Sequence, residues 1–291
     1  MNDYVITTDN CADLPDEFFR QNGVGLICLT CMMDGQDYNA DHPISGPDFF
    51  KRLREGATPT TSQITPDQAK TFFEGYLKEG KDVVHVAFAS GMSGSCGTAM
   101  MVAEELNQEY PDHKVIVIDS LRAAIGQGLL VERMVKMKAD GASIDEVAAW
   151  CEKARHQVVS YVLLEDMSLL YRGGRLSKDN AVPGSMVGIK PLILIGDDGK
   201  LQVVGKIRGH KKAVQTILAS LMEKIDEGEK TVTISHGDCA EAAEAVKKQL
   251  MEEYGMETVE IGYLGVITGT HTGPGTLLIS VMGNENWYKQ A

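Results

Sequence analysis

No apolar stretch in this chain of 291 residues runs to the about eighteen residues that a membrane-spanning helix requires, so no membrane-spanning helix is expected. Basic residues are also short. Lys and Arg number 28 against 41 Asp and Glu, a net charge of −13. Nucleic acid and anionic membrane surfaces both demand a basic face, so neither is expected as a partner. Six cysteines are too few for a disulfide scaffold and fit a reducing cytoplasm. The opening MNDYVITTDN lacks the basic flank and apolar core of a secretory signal. Cys28 and Cys31 form a lone CxxC in VGLICLTCMM. A strand turns residues three apart to opposite faces, and no second CxxC completes a zinc site. Two packed cysteines are expected there, and neither metal nor cofactor. What is present is a 43% hydrophobic composition, enough for a sizeable core, over a length suited to two domains.

Strands alternate with helices through about residue 155, the pattern of a mostly parallel sheet with flanking helices. YVITTD and the apolar VGLICLTCMM read as the first two strands, and LPDEFFRQNG as a helix closed by Gly23. Ser45, Thr65 and Ser143 each open a helix, two of them with proline in the first turn. PTTSQITPD reads as a polar loop, and GQGLLVERMVKMKADG as an amphipathic helix. Residues 82–88 form a strand that runs into a Ser/Gly turn and a further helix. Beyond VVSYVLLE the pattern changes. PLILIGDDGKLQVVGKIRG is two strands about an Asp-Asp-Gly turn, a strand–helix–strand comes next, and GTHTGPGTLLISVMG closes with a glycine loop and a strand. The fold class is therefore α/β in two domains: an N-terminal α/β domain over 1–158 and a C-terminal α+β domain over 159–291 with a mixed or antiparallel sheet.

Five motifs carry candidate chemistry. In SGMSGSCG a turn rich in small residues leads from a strand into a helix, where unpaired N–H groups favour an anion. It is no Walker A loop, since no lysine follows Gly94. Nor is it a nucleophile elbow, because Ser95 stands where GxSxG places its last glycine. GQGLLV lacks the third glycine of a dinucleotide fingerprint. Ser93 on its own suits a helix cap as well as a ligand. TTSQ offers Thr60, Thr61, Ser62 and Gln63 in a loop, and such side chains also satisfy their own turns. THTGPG sets His271 among glycines, free to touch a ligand. YRGGRLS and GKIRGHKKA are compact basic motifs in an acidic chain, suited to an acidic group.

Eight motifs in order resemble the DegV family: ITTDNCADLP near the start, TTSQ, SGMSGSCGTA, VIDS, GGRLS, IKPLI, IRGHKKA and HTGPG. The resemblance runs over nearly the whole chain. It implies a DegV-like fold and a fatty-acid carrier, with the acyl chain in an internal tunnel between the domains. It further implies a separate ATP-using kinase subunit that phosphorylates the bound carboxylate. By motif position, Thr61 and Ser93 would hold the carboxylate, with Ser62 and Gly94 beside them and His271 and Arg208 near it. Arg175 would belong to the surface that meets the kinase. No catalysis by the chain itself is implied. Cys96 stands where the family commonly has an aromatic, which bears on chain-length preference. Two other readings are a serine hydrolase using Ser93, His271 and Asp119 or Asp166, whose order along the chain permits it, and a lipid-sensing regulatory module.

Overall fold

The computed structural model describes residues 3–176 and 188–290. Ser177, the last residue of the GGRLS motif, lies outside them. Three sheets organise the described residues. The first is parallel, in the order β2-β1-β6-β7, built from β1 (Tyr4–Asp9), β2 (Gly25–Ile27), β6 (Asp82–Ala87) and β7 (Val115–Asp119). The largest is mixed, in the order β10-β9-β8-β13-β11-β12. It comprises β8 (Val158–Leu163), β9 (Ile189–Ile195), β10 (Leu201–Arg208), β11 (Thr231–His236), β12 (Thr258–Tyr263) and β13 (Leu277–Met282). Among the described residues its only parallel pair is β11 with β12. Between the two sets of strands in sequence lie α5 (Ile125–Ala139) and α6 (Ile144–Ala154). No helix among the described residues is long and apolar enough to cross a membrane.

The third sheet, β4-β3-β5, corrects two sequence expectations. VGLICLTCMM is not one strand but β2 followed by β3 (Thr30–Met33). The break has a local cause: the Asn10 amide bonds both the C=O and the N–H of Leu29, at 3.0 and 2.9 Å, and takes that residue out of the ladder. TTSQ is not a loop; β5 (Thr60–Ser62) pairs antiparallel with β3, Thr61 opposite Cys31. On the other side of β3 lies β4 (Gln36–Tyr38).

The helix starts hold as read. Ser45 accepts the Asp48 N–H ahead of α2 (Gly46–Arg54), while Thr65 and Ser143 form capping boxes with Gln68 and Glu146 ahead of α3 (Pro66–Lys78) and α6. Gly23 closes α1 (Asp16–Asn22) in the left-handed conformation. The helix α5 differs from its amphipathic reading, since every residue from Ile125 to Val131 is buried. It packs against β1 and β6 on one side and β8, β11 and β13 on the other. One apolar core consequently runs from Tyr4 to Leu278 through both sheets, and a second lies within the mixed sheet and its helices.

Strand β7 ends the parallel sheet. Its outer edge is met by a side chain from α4 (Ser95–Glu109): the Asn107 amide donates to Val115 O at 3.1 Å and accepts Val115 N–H at 2.7 Å. The remaining helices are α7 (Ser168–Arg172), α8 (His210–Met222), α9 (Ala240–Tyr254) and α10 (Val266–Thr272). His271 thus lies in the last turn of a short helix, not in a glycine loop; the loop begins at Gly273.

Candidate functional site

The turn after β6 is positioned by carboxylates on the two strands that flank it. Asp9, at the end of β1, accepts the Phe88 N–H at 2.6 Å. Asp119, at the end of β7, accepts the N–H groups of Ser90 and Leu121 at 3.1 and 3.0 Å. Because β6 lies between β1 and β7, the turn is held from both sides. Burial pushes the Asp9 carboxyl up, against hydrogen bonds from Phe88, Gln127 and Cys11 that pull it down. Gln127 of α5 spans Asp9, Thr8 and Val86 O, tying the clamp to the central helix.

Within the turn, the N–H groups of Met92 and Ser93 return to Ala89 O. The Ser93 hydroxyl accepts the Ser95 N–H at 3.2 Å and donates to Ser95 Oγ at 3.1 Å, so it steadies the first turn of α4. Ser95 in turn accepts the Ile64 N–H at 3.3 Å, tying the turn to the chain just after β5. Among the described residues the Gly94 N–H has no partner. A Cβ at Gly94 would stand 2.1 Å from Gln63 Oε1.

His271 faces this turn from α10. Its Nε2 lies 2.8 Å from Thr61 Oγ1. Burial, with Arg175 beside it, pulls the imidazole down to about 4, so the ring is neutral at pH 7. Its Nδ1 side meets Gly173, where a Cβ would lie 2.2 Å away. Arg175 bridges the two turns, Nε to Met92 O at 3.1 Å and Nη1 to Gly173 O at 2.7 Å.

These groups converge on one cavity of about 340 Å³, within the size range of small-molecule sites. Thr61, Ser62, Gln63, Ser93, Gly94, Arg175 and His271 form its polar end. The rest is mostly apolar: Leu29 and Phe88 from the parallel-sheet side, and Val162, Ile195, Leu201 and Leu278 from the mixed sheet. An open cleft beside it shares Thr61, Arg175 and His271 and adds Arg172. The structure therefore brings together Thr61, Ser62, Ser93, Gly94 and His271. It also sets Arg175 in the wall of the cavity as well as of the cleft, beyond the surface role the resemblance implied. Arg208 is not brought in: it is exposed at the end of β10, paired with Ile189, outside the cavity lining. Cys96 likewise faces the core rather than the cavity, and burial pushes its thiol to about 12. Gln63, offered by the TTSQ motif, also lines the cavity; sequence reasoning missed the apolar wall. The wall residues sit in ordinary apolar strands, and only the packing of two sheets reveals which of them border a space.

The hydrogen bonds build no hydrolytic relay among the described residues. His271 Nε2 is on Thr61, Asp119 is on backbone N–H groups, and Asp166 is on Ser168, so no carboxylate orients the imidazole toward Ser93. No cluster of three or more His, Cys, Asp or Glu among the described residues could hold a metal. Cys31 Sγ instead lies 3.6 Å from Thr270 Oγ1. What the arrangement can do is receive an amphiphile: an apolar body in the cavity, and an anionic head among hydroxyls, one free N–H, a neutral imidazole and a guanidinium.

Comparison with known proteins agrees with this outline. The family model described as "Uncharacterised protein, DegV family" matches residues 3–284. A DegV domain-containing protein of Clostridium perfringens is 36% identical over 287 residues, covering 98% of this chain and 99% of its own. A solved DegV-family protein from Thermus thermophilus, described for its fatty acid binding, superposes with a TM-score of 0.86 at 27% identity, covering 98% of this chain and 100% of that one. DegV from Bacillus subtilis, described as a fatty acid binding protein, gives 0.85 at 25% identity, covering 96% and 99%. The family match spans both the parallel and the mixed sheet and every element that borders the cavity, and the chain belongs to the DegV family.

Proposed function

We propose that this chain binds a long-chain fatty acid, its acyl tail in the cavity and its carboxylate at the polar end formed by Thr61, Ser62, Ser93, Gly94 and His271. The observation that carries the reading is that apolar space between two sheets ends in a cluster of hydroxyls, an unpartnered N–H and Arg175. A tail of about fifteen methylenes gains roughly 12 kcal/mol on burial, against an association cost of about 4–15 kcal/mol. The tail therefore carries the affinity, and the polar end has only to keep a carboxylate from being stranded. Two DegV relatives described as fatty acid binding support the same assignment.

In this reading the chain is a cytoplasmic carrier without catalysis of its own. It consists of two domains divided near residue 158 with the lipid between them, and a separate kinase subunit meets it at the cleft of Arg172 and Arg175 to form the acyl phosphate. Because Arg175 also holds the turns about the cavity, Arg175→Ala is expected to weaken both lipid retention and phosphorylation. The test is mass spectrometry of the purified protein, native and then denatured. A mass excess that leaves on denaturation and matches a fatty acid supports the reading. A clean apo mass, with no uptake of added palmitate or oleate, overturns it.

A further inference from the structure

The short loop between β1 and α1 begins at Asp9, which sets the turn of Ser93 through Phe88, and a second aspartate lies four residues on. Asp13 adopts a left-handed backbone with φ 54°, a conformation Asp tolerates better than most residues. Both of its carboxylate oxygens are sealed from solvent. They face the Gly265 N–H and the Ser235 hydroxyl, without closing a hydrogen bond of good geometry on either. Glycines make the room. A Cβ at Gly265 would lie 2.4 Å from Asp13 Oδ1, and one at Gly128 would lie 2.5 Å from Ala12 O. The loop is thus wedged between α5, β11 and the start of α10. Gly265 is the cap of α10, and His271 comes six residues later, about 9 Å along the helix axis.

We infer that Asp13 is a positioning residue for the ligand site: it fixes the start of α10, and with it His271, to the same loop that fixes the Ser93 turn through Asp9. The two walls of the polar end come from distant parts of the chain, and this loop touches the support of both. The inference takes its ligand from the fatty-acid reading above, but not its geometry. Burial pushes the Asp13 carboxyl up to about 7, with Gly265 and Ser235 pulling it down. A neutral amide of the same shape can therefore stand in for it.

The experiment compares wild type, Asp13→Asn and Asp13→Ala, with palmitate as the probe ligand and the His271 ring followed by NMR of protein labelled with nitrogen-15 in its histidines. Asp13→Ala is expected to weaken palmitate binding about tenfold, as for loss of one buried polar contact, and to move the His271 ring signals in the folded protein. Asp13→Asn is expected to restore both. A general loss of stability would lower the melting temperature without moving those signals at temperatures where the protein is folded. If Asp13→Ala does not fold, Gly265→Ala breaks the same contact from the other side and is read in the same way. Unmoved His271 signals together with unchanged affinity overturn the inference. If wild type takes up no palmitate, the fatty-acid reading falls, while the His271 signals still decide the role of Asp13.

Discussion

The two sheets border the cavity by different means. The mixed sheet offers strand faces: Val162, Ile195, Leu201 and Leu278 lie in β8, β9, β10 and β13, and alternation along each strand decides which side chains point inward. The parallel sheet contributes mainly the turns at the ends of its strands: Phe88, Met92, Ser93 and Gly94 after β6, and Ala123 after β7, the usual place for a site in such sheets. A strand face is fixed by its own ladder. A turn has no ladder, so its shape must be imposed from elsewhere, here by Asp9, Asp119 and Arg175. The apolar wall therefore rests on strand ladders, and the Ser93 part of the polar end on a few long-range hydrogen bonds.

That contrast can be broken most sharply at Asp9. Asp9→Ala strands the buried N–H groups of Phe88 and Cys11 and takes one of its three acceptors from the Gln127 amide. It is expected to cost about 3–5 kcal/mol of stability, read by urea unfolding, with Asp9→Asn costing less. A loss under about 1 kcal/mol would show that the turn needs no such clamp. A smaller effect, on binding rather than stability, is expected at Gly173. Its added methyl would press on the His271 ring at 2.2 Å, so Gly173→Ala should lower fatty-acid affinity about tenfold, roughly 1.4 kcal/mol. Gly94→Ala meets only the end of the Gln63 side chain, which can swing aside, and should do less. Equal effects at the two glycines in a fatty-acid titration would remove the special place given to His271. The smallest effects belong to single hydroxyls. Thr61→Ala and Ser93→Ala should each weaken lipid retention about fivefold, one hydrogen bond's worth, in a protein that remains folded. Ser93→Ala should lower the melting temperature further, because Ser93 also holds the Ser95 N–H. Undiminished retention in both variants would reject the placing of the headgroup.

Most of the architecture was legible in the sequence because its signals are local. The caps at Ser45, Thr65 and Ser143, the Gly23 stop and the Asp-Asp-Gly hairpin each act over a few residues. The misreadings were of elements defined by distant partners. β5 is a strand only because β3 lies beside it, and β2 ends because Asn10 reaches Leu29. α5 reads as amphipathic, yet a second sheet covers its other side. In the site, the residues named by motif gathered at one end of the cavity except Arg208. The apolar wall went unnamed, since residues bordering a cavity have no periodicity of their own.

Asn107 shows one way to finish a sheet. Where, among the described residues, β7 has no further strand beside it, a single amide copies the donor and acceptor of one neighbouring residue at Val115. Open edges invite other chains to pair and aggregate. This one is stoppered at that position from within the fold, by a residue of the helix that packs on the same strand, so at Val115 the parallel sheet offers an incoming strand no starting point for growth.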